Sequence, residues 1–97
     1  MKLPKPVGFE WDKGNVDKNW SKHKVHFKEA EEVLLNKPIK IFLDNRHSTE
    51  KEKRYLALGK TDSGKPLAIV FTVRNKLIRV ISARKQNKKE RTIYEKK

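Results

Sequence analysis

Only two residues, Asn75-Lys76, separate two runs that alternate like strands, Leu67 to Arg74 and Leu77 to Arg84. A connection that short forces an antiparallel hairpin, because parallel strands need a crossover of roughly a dozen residues or more. It also fixes the register, pairing Arg74 with Leu77, Val73 with Ile78, Thr72 with Arg79 and Phe71 with Val80. Leu67, Ile69, Phe71 and Val73 then share one face with Ile78 and Val80, while Val70, Thr72, Arg74, Arg79 and Ile81 take the other. A third run, Lys53 to Lys60, joins the hairpin through Thr61-Asp62-Ser63-Gly64 and extends it into an antiparallel meander. With Leu56 and Leu58 assigned to the apolar face, Lys53, Tyr55 and Ala57 fall on the opposite one.

The N-terminal half can cover the apolar face. Val7-Gly8-Phe9-Glu10-Trp11 reads as a short strand, and Asp12 as the cap of a helix from Lys13 to His23 in which Val16, Trp20 and His23 share a stripe. A second helix from about Phe27 to Asn36 carries Phe27, Ala30, Val33 and Leu34 on one side and stops before Pro38. On this geometry Trp11 and Trp20 are core anchors. Ile39 to Leu43 is a further strand, followed by the polar loop Asp44-Asn45-Arg46-His47-Ser48. The tail from Arg84 to Lys97 predicts a terminal helix anchored by Ile93 and Tyr94. The order β-α-α-β-β-β-β-α predicts an α+β fold in a single domain, residues 1–97: an antiparallel sheet, two N-terminal helices packed on one face, and a C-terminal helix.

The open face of that sheet collects Lys53, Tyr55, Thr72, Arg74 and Arg79, a cationic surface with an aromatic ring, suited to gripping phosphates and stacking a base. An ordinary solvated face has the same pattern. The whole composition points the same way: 25 Lys and Arg against 12 Asp and Glu give a formal charge of +13. Such a field favours phosphate polymers or anionic membranes, and would also suit an acidic protein. Charge alone does not choose among RNA, DNA and lipid. Cysteine is absent, which removes disulfides, thiolate nucleophiles and cysteine-containing zinc sites. Met1 to Val7 has no apolar signal region and no run reaches the length of a membrane span, so the expected location is cytoplasmic, with no membrane partner.

Phe9-Glu10-Trp11-Asp12, Asn19-Trp20-Ser21-Lys22-His23, Val25, Phe27 and Glu29-Ala30 resemble the opening of the BrnT toxin family. Asp44-Asn45-Arg46-His47-Ser48, Glu52-Lys53-Arg54, Thr72-Val73-Arg74 and Ile78-Arg79-Val80-Ile81-Ser82-Ala83-Arg84 with Glu90-Arg91 and Tyr94 continue that family's order of motifs. The resemblance spans Phe9 to Tyr94. It implies a RelE-like ribonuclease fold, RNA cleavage with translation arrest, and neutralisation by a BrnA-type antitoxin, in a heterotetramer of two toxins and two antitoxins. Operator DNA would be met only as part of that complex. Two positions depart from the family: Lys24 stands where glycine is usual, and His26 where a serine-like cap is common.

RNA cleavage without a metal or other cofactor needs an acid–base group for the 2′-hydroxyl and the leaving 5′-oxygen, and cations for the charged transition state. His47 is the candidate acid or base, although a loop histidine in solvent has the same signature. Arg74 and Arg79 would clamp the phosphate from the open face. By alternation Arg54 and Arg84 belong with the apolar face and reach the site only through strand ends or bulges; the resemblance supports them as functional residues. Glu52 is either a base or an arginine's partner, and Tyr55 either stacks a base, donates a proton or is a sheet aromatic. Lys85, Lys88 and Lys89 would add non-specific RNA contacts. His23, His26 and His47 lack metal-ligand spacing, and no metal site is expected. The function expected is a sequence-relaxed endoribonuclease toxin; a non-catalytic RNA- or DNA-binding module would carry the same charge and sheet.

Overall fold

The structure, a computed structural model, describes residues 8–96; the readings made on Met1 to Val7 lie outside them. In chain order the elements are β1 (Gly8–Glu10), α1 (Lys13–His23), α2 (Phe27–Leu35), β2 (Lys40–Leu43), β3 (Arg54–Lys60), β4 (Pro66–Arg74), β5 (Leu77–Lys85) and α3 (Lys88–Glu95). The strands form one sheet in the order β1-β5-β4-β3-β2. It is antiparallel except at one edge, where β1 runs parallel to β5 and pairs Gly8 with Leu77 through Glu10 with Arg79.

Both turn residues of the β4–β5 hairpin have positive φ, Asn75 at 50° and Lys76 at 63°, as a tight two-residue turn requires. The expected register holds from Arg74↔Leu77 to Phe71↔Val80. Beyond it the ladder slips: Val70 pairs with Ser82, so Ile81 is an extra residue on β5. This bulge reverses the alternation of the rest of the strand, turning Ala83 into the core and Arg84 to the opposite face.

Helices α1 and α2 cover one face. Val25 in the turn between them, with Ala30 and Val33 of α2, packs with Ala57, Leu67, Ile69, Phe71, Val80 and Ala83. Helix α3 covers part of the other, where Tyr94 and Ile93 pack on Leu56, Leu58 and Ala68. The expected assignment of β3 is therefore reversed: Tyr55 and Ala57 face α1 and α2, and Leu56 and Leu58 face α3. The cause is close packing. A Cβ on Gly59 would come to 3.0 Å from the Val33 side chain, so where α2 approaches β3 the helix-covered side takes Ala57 and Gly59, while the leucines fill the space under α3.

Asp12 caps α1 by accepting from the Asn15 N–H. Lys24 ends that helix in the left-handed region, at φ 55°, which accounts for glycine at this position in the resembling sequences. His26 caps α2 in a reciprocal box with Glu29, its Nδ1 accepting from the Lys28 N–H. Trp11 is held as an anchor, edge-on to Phe27 and donating to Glu31 at 2.7 Å. Trp20 is not: it is 52% exposed, and its neighbour Asn19 is buried instead. Beyond Arg79 the outer edge of β5 has no strand beside it. Side chains of α1 serve that edge, with Asn15 donating to the Val80 carbonyl, Lys18 to the Ile81 carbonyl, and Asn19 Oδ1 accepting from the Ala83 N–H.

Candidate active site

The sheet face away from α1 and α2 carries three neighbouring cross-strand rows. Lys40, Leu58, Ala68 and Arg84 form the first, which α3 overlies. Phe42, Leu56, Val70 and Ser82 form the second. Arg54, Thr72 and Arg79 form the third. The second row, which α3 touches only at Leu56, is the floor of a cleft of about 680 Å³, walled by the loop Asp44 to His47 and Arg54, and by Arg84. A smaller hollow of about 330 Å³ between Asn36, Lys60 and Tyr94 contains no arginine or histidine.

The loop that brings His47 to the cleft is folded on itself. The Ser48 hydroxyl donates to the Asp44 carbonyl at 2.6 Å and accepts from the Arg54 N–H at 2.9 Å, tying the loop to the start of β3. The Asp44 N–H donates to the Arg54 carbonyl, closing the base of the loop. Within it, His47 Nδ1 lies 2.9 Å from Asp44 Oδ2. Partial burial pushes the Asp44 carboxyl up, but its bonds to the His47 ring and backbone outweigh this and hold it below the ordinary value. An ionised Asp44 keeps the proton of a neutral imidazole on Nδ1 and leaves Nε2 to exchange protons.

Two arginines face this pair. Arg54 opens β3 on the cleft side because it shares alternation with Leu56, and its Nε is 3.8 Å from Glu52. Arg84 reaches the cleft through the bulge, the route that alternation alone denied it. Its guanidinium makes two parallel bonds to Glu90, 2.7 and 2.9 Å, and Glu90 is only 8% exposed. The Arg84 hydrogen bond holds the Glu90 carboxyl below its ordinary value against the effect of burial, and raises Arg84 in turn. Arg46 lies on the cleft wall with no ion-pair partner among the described residues.

The other expected site residues are placed elsewhere. Arg74 is exposed and donates through Nε to Glu52 at 3.1 Å, outside the cleft lining. Glu52 is thus an arginine's partner, its carboxyl lowered chiefly by that hydrogen bond. Arg79 is tied to Glu10 and Asp12, each at 3.1 Å, and clips β1 and the start of α1 to β5. Tyr55 is buried and stacked on Phe71 with centroids 5.5 Å apart, so it presents no ring to an RNA. Thr72 is 1% exposed, and its hydroxyl donates to the Lys53 carbonyl, which removes it from any RNA contact in this arrangement. Lys53, Lys85, Lys88 and Lys89 are exposed but outside the cleft lining. The structure adds Asp44, Ser82 and Phe42 to the cleft and Glu90 behind Arg84. Of these, Asp44 had a legible signal, a carboxylate three residues before a histidine in a turn, and Glu90 another, the third position of a helix capped by Asn87.

The family model for the ribonuclease toxin BrnT of type II toxin-antitoxin systems matches residues 11–90. The crystal structure of the Brucella abortus ribonuclease toxin BrnT has the same fold, with a TM-score of 0.62 and 23% identity over 84% of this chain and 97% of that one. No curated protein sequence matches. The matched family segment runs from Trp11 through the His47 loop, Arg54 and the β5 bulge to Glu90, and the chain belongs to the BrnT family of ribonuclease toxins of type II toxin-antitoxin systems.

Proposed function

We propose that this toxin is a metal-independent endoribonuclease, built as one domain, that arrests translation in the cytoplasm and is neutralised by a BrnA-type antitoxin in a complex of two toxins and two antitoxins. The observation that carries the catalytic part is the convergence on one cleft of the His47–Asp44 pair with Arg54 and Arg84. His47 Nε2 takes the proton of a ribose 2′-hydroxyl as its oxygen attacks the adjacent phosphorus. The O2′–P bond forms, the P–O5′ bond breaks, the departing 5′-oxygen takes a proton from water, and His47 returns the proton it gained to solvent. Arg54 and Arg84 oppose the negative charge that builds on the phosphate oxygens. Glu90 and the Ser48-tied loop hold these groups in place before the substrate arrives, so little reorganisation is needed at the moment of reaction.

The test is cleavage of naked RNA in EDTA, repeated with ribosomes, by the wild type and by His47→Ala and Arg54→Ala variants. The expected result is a loss of kcat of roughly 100- to 10,000-fold for His47→Ala and about 100-fold or more for Arg54→Ala, with RNA binding retained by the histidine variant. Binding without cleavage by the wild type in both settings would make the chain a non-catalytic binding module. Cleavage lost in EDTA and restored by magnesium would overturn metal independence.

A further inference from the structure

One row of the cleft has no part in the chemistry above. Phe42, Leu56, Val70 and Ser82 are in direct register across β2, β3, β4 and β5, an apolar trough ending in a hydroxyl. Four strands at the usual spacing make it about 14 Å long. Phe42 lies on the outermost strand and is 41% exposed, although α3 already covers the neighbouring Leu58–Ala68 row. An open aromatic on an edge strand invites unwanted association unless a partner uses it.

The surroundings identify that partner. Arg54 stands in the row on one side of the trough and Arg84 in the row on the other, with His47 on the Arg54 side. An apolar surface between guanidinium groups is complementary to a nucleotide, whose flat base lies between anionic phosphates. We propose that the Phe42–Leu56–Val70–Ser82 row is a nucleobase subsite, in which the Phe42 ring stacks on a base of the RNA beside the scissile phosphate. The role first expected of Tyr55 passes to Phe42, because Tyr55 is buried under the helices while Phe42 shares the cleft with both arginines. Stacking accepts every base, which suits a ribonuclease of relaxed sequence preference. The Ser82 hydroxyl, at the far end of the row, offers one hydrogen bond to a base edge.

The subsite rests on the ribonuclease reading, and the experiment separates the two. Short RNAs carrying 2-aminopurine at each position around the cleavage site are made non-cleavable with a 2′-deoxy sugar and titrated with wild type, Phe42→Ala, Phe42→Trp and Arg54→Ala. Stacking on Phe42 quenches the 2-aminopurine at one position. Phe42→Ala abolishes that quenching and weakens RNA binding about tenfold or more, and in cleavage assays the loss falls mainly on KM. Phe42→Trp restores both readouts, which excludes a folding defect as the cause. Unchanged quenching and KM in Phe42→Ala, with cleavage still lost in Arg54→Ala, would overturn the subsite and leave the ribonuclease reading intact. Loss of antitoxin binding by Phe42→Ala, with RNA binding and quenching unaltered, would also overturn it and assign the trough to the protein partner.

Discussion

Asn19 is the residue on which the exposed edge of β5 depends. It is 3% exposed, and its Oδ1 accepts from the Ala83 N–H at 3.2 Å, just past the bulge where β1 no longer reaches. Asn19→Ala leaves that N–H buried without an acceptor, which costs about 1–3 kcal/mol. Urea unfolding should show a lower midpoint with an unchanged slope. An unchanged midpoint would mean that water or a shifted backbone replaces the amide. The helical stripe of Val16, Trp20 and His23 concealed this position, because apolar periodicity weighs only apolar residues. A polar side chain that serves a strand edge sits on the buried side of its helix for a different reason. Trp20 was displaced by one position for that reason, and is left exposed with Lys24 Nζ 5.4 Å from its ring.

Among the elements, α3 meets the cleft through the Arg84–Glu90 ion pair as well as its packing on Leu56, and acid should act on the ion pair. Glu90 is held below its ordinary value of 4.5, first by its hydrogen bond with Arg84. A depressed carboxyl contributes stability that is complete above its unfolded value and is lost as pH falls below about 4.5 and through the folded one. Glu29, Asp44 and Glu52 are lowered as well, so the diagnostic quantity is a difference between proteins. Glu90→Gln keeps the helix cap and loses the charge, so it should melt lower than wild type at pH 7, with the gap closing from pH 4.5 downward. A gap constant down to pH 3 would show that shape, not charge, fixes Arg84. The sequence disclosed the elements, the hairpin register and the meander, but not which side of β3 faced which helix. That reading assumed one covered face; with α3 on the second, leucines fit either side, and only the tight approach of Val33 to Gly59 decides. The bulge was equally hidden, since Ile81, Ser82 and Ala83 suit a regular strand as well as a bulged one. For that reason the sequence favoured Arg74 and Arg79 for the cleft, and the structure brought Arg54 and Arg84 to it.

Over the whole molecule, the acidic residues are largely committed to internal bonds and the surplus charge is left to the lysines. Glu10 and Asp12 hold Arg79, Glu52 holds Arg74, Glu90 holds Arg84 and Glu29 holds Lys65. With 25 Lys and Arg against 12 Asp and Glu in the sequence, the remaining cations among the described residues are mostly exposed lysines outside a cleft whose arginines are already positioned. Two contributions to RNA binding should therefore separate by salt and by mutation. For single-stranded RNA the logarithm of the binding constant falls by about 0.7 per neutralised phosphate for each unit of log salt. Three cleft arginines alone would give a slope near −2, a loss of roughly twentyfold between 50 and 200 mM salt. Exposed lysines that also meet phosphates make it steeper. Removing Lys85, Lys88 and Lys89 together should then flatten the slope by up to about 2 without changing kcat at saturating RNA, because these side chains act on the encounter and not on the reacting atoms. Fluorescence anisotropy with a non-cleavable RNA across a salt series measures the slope. If the triple variant keeps the wild-type slope, these three lysines face solvent in the complex, and RNA follows the trough toward β2 rather than the C-terminal helix.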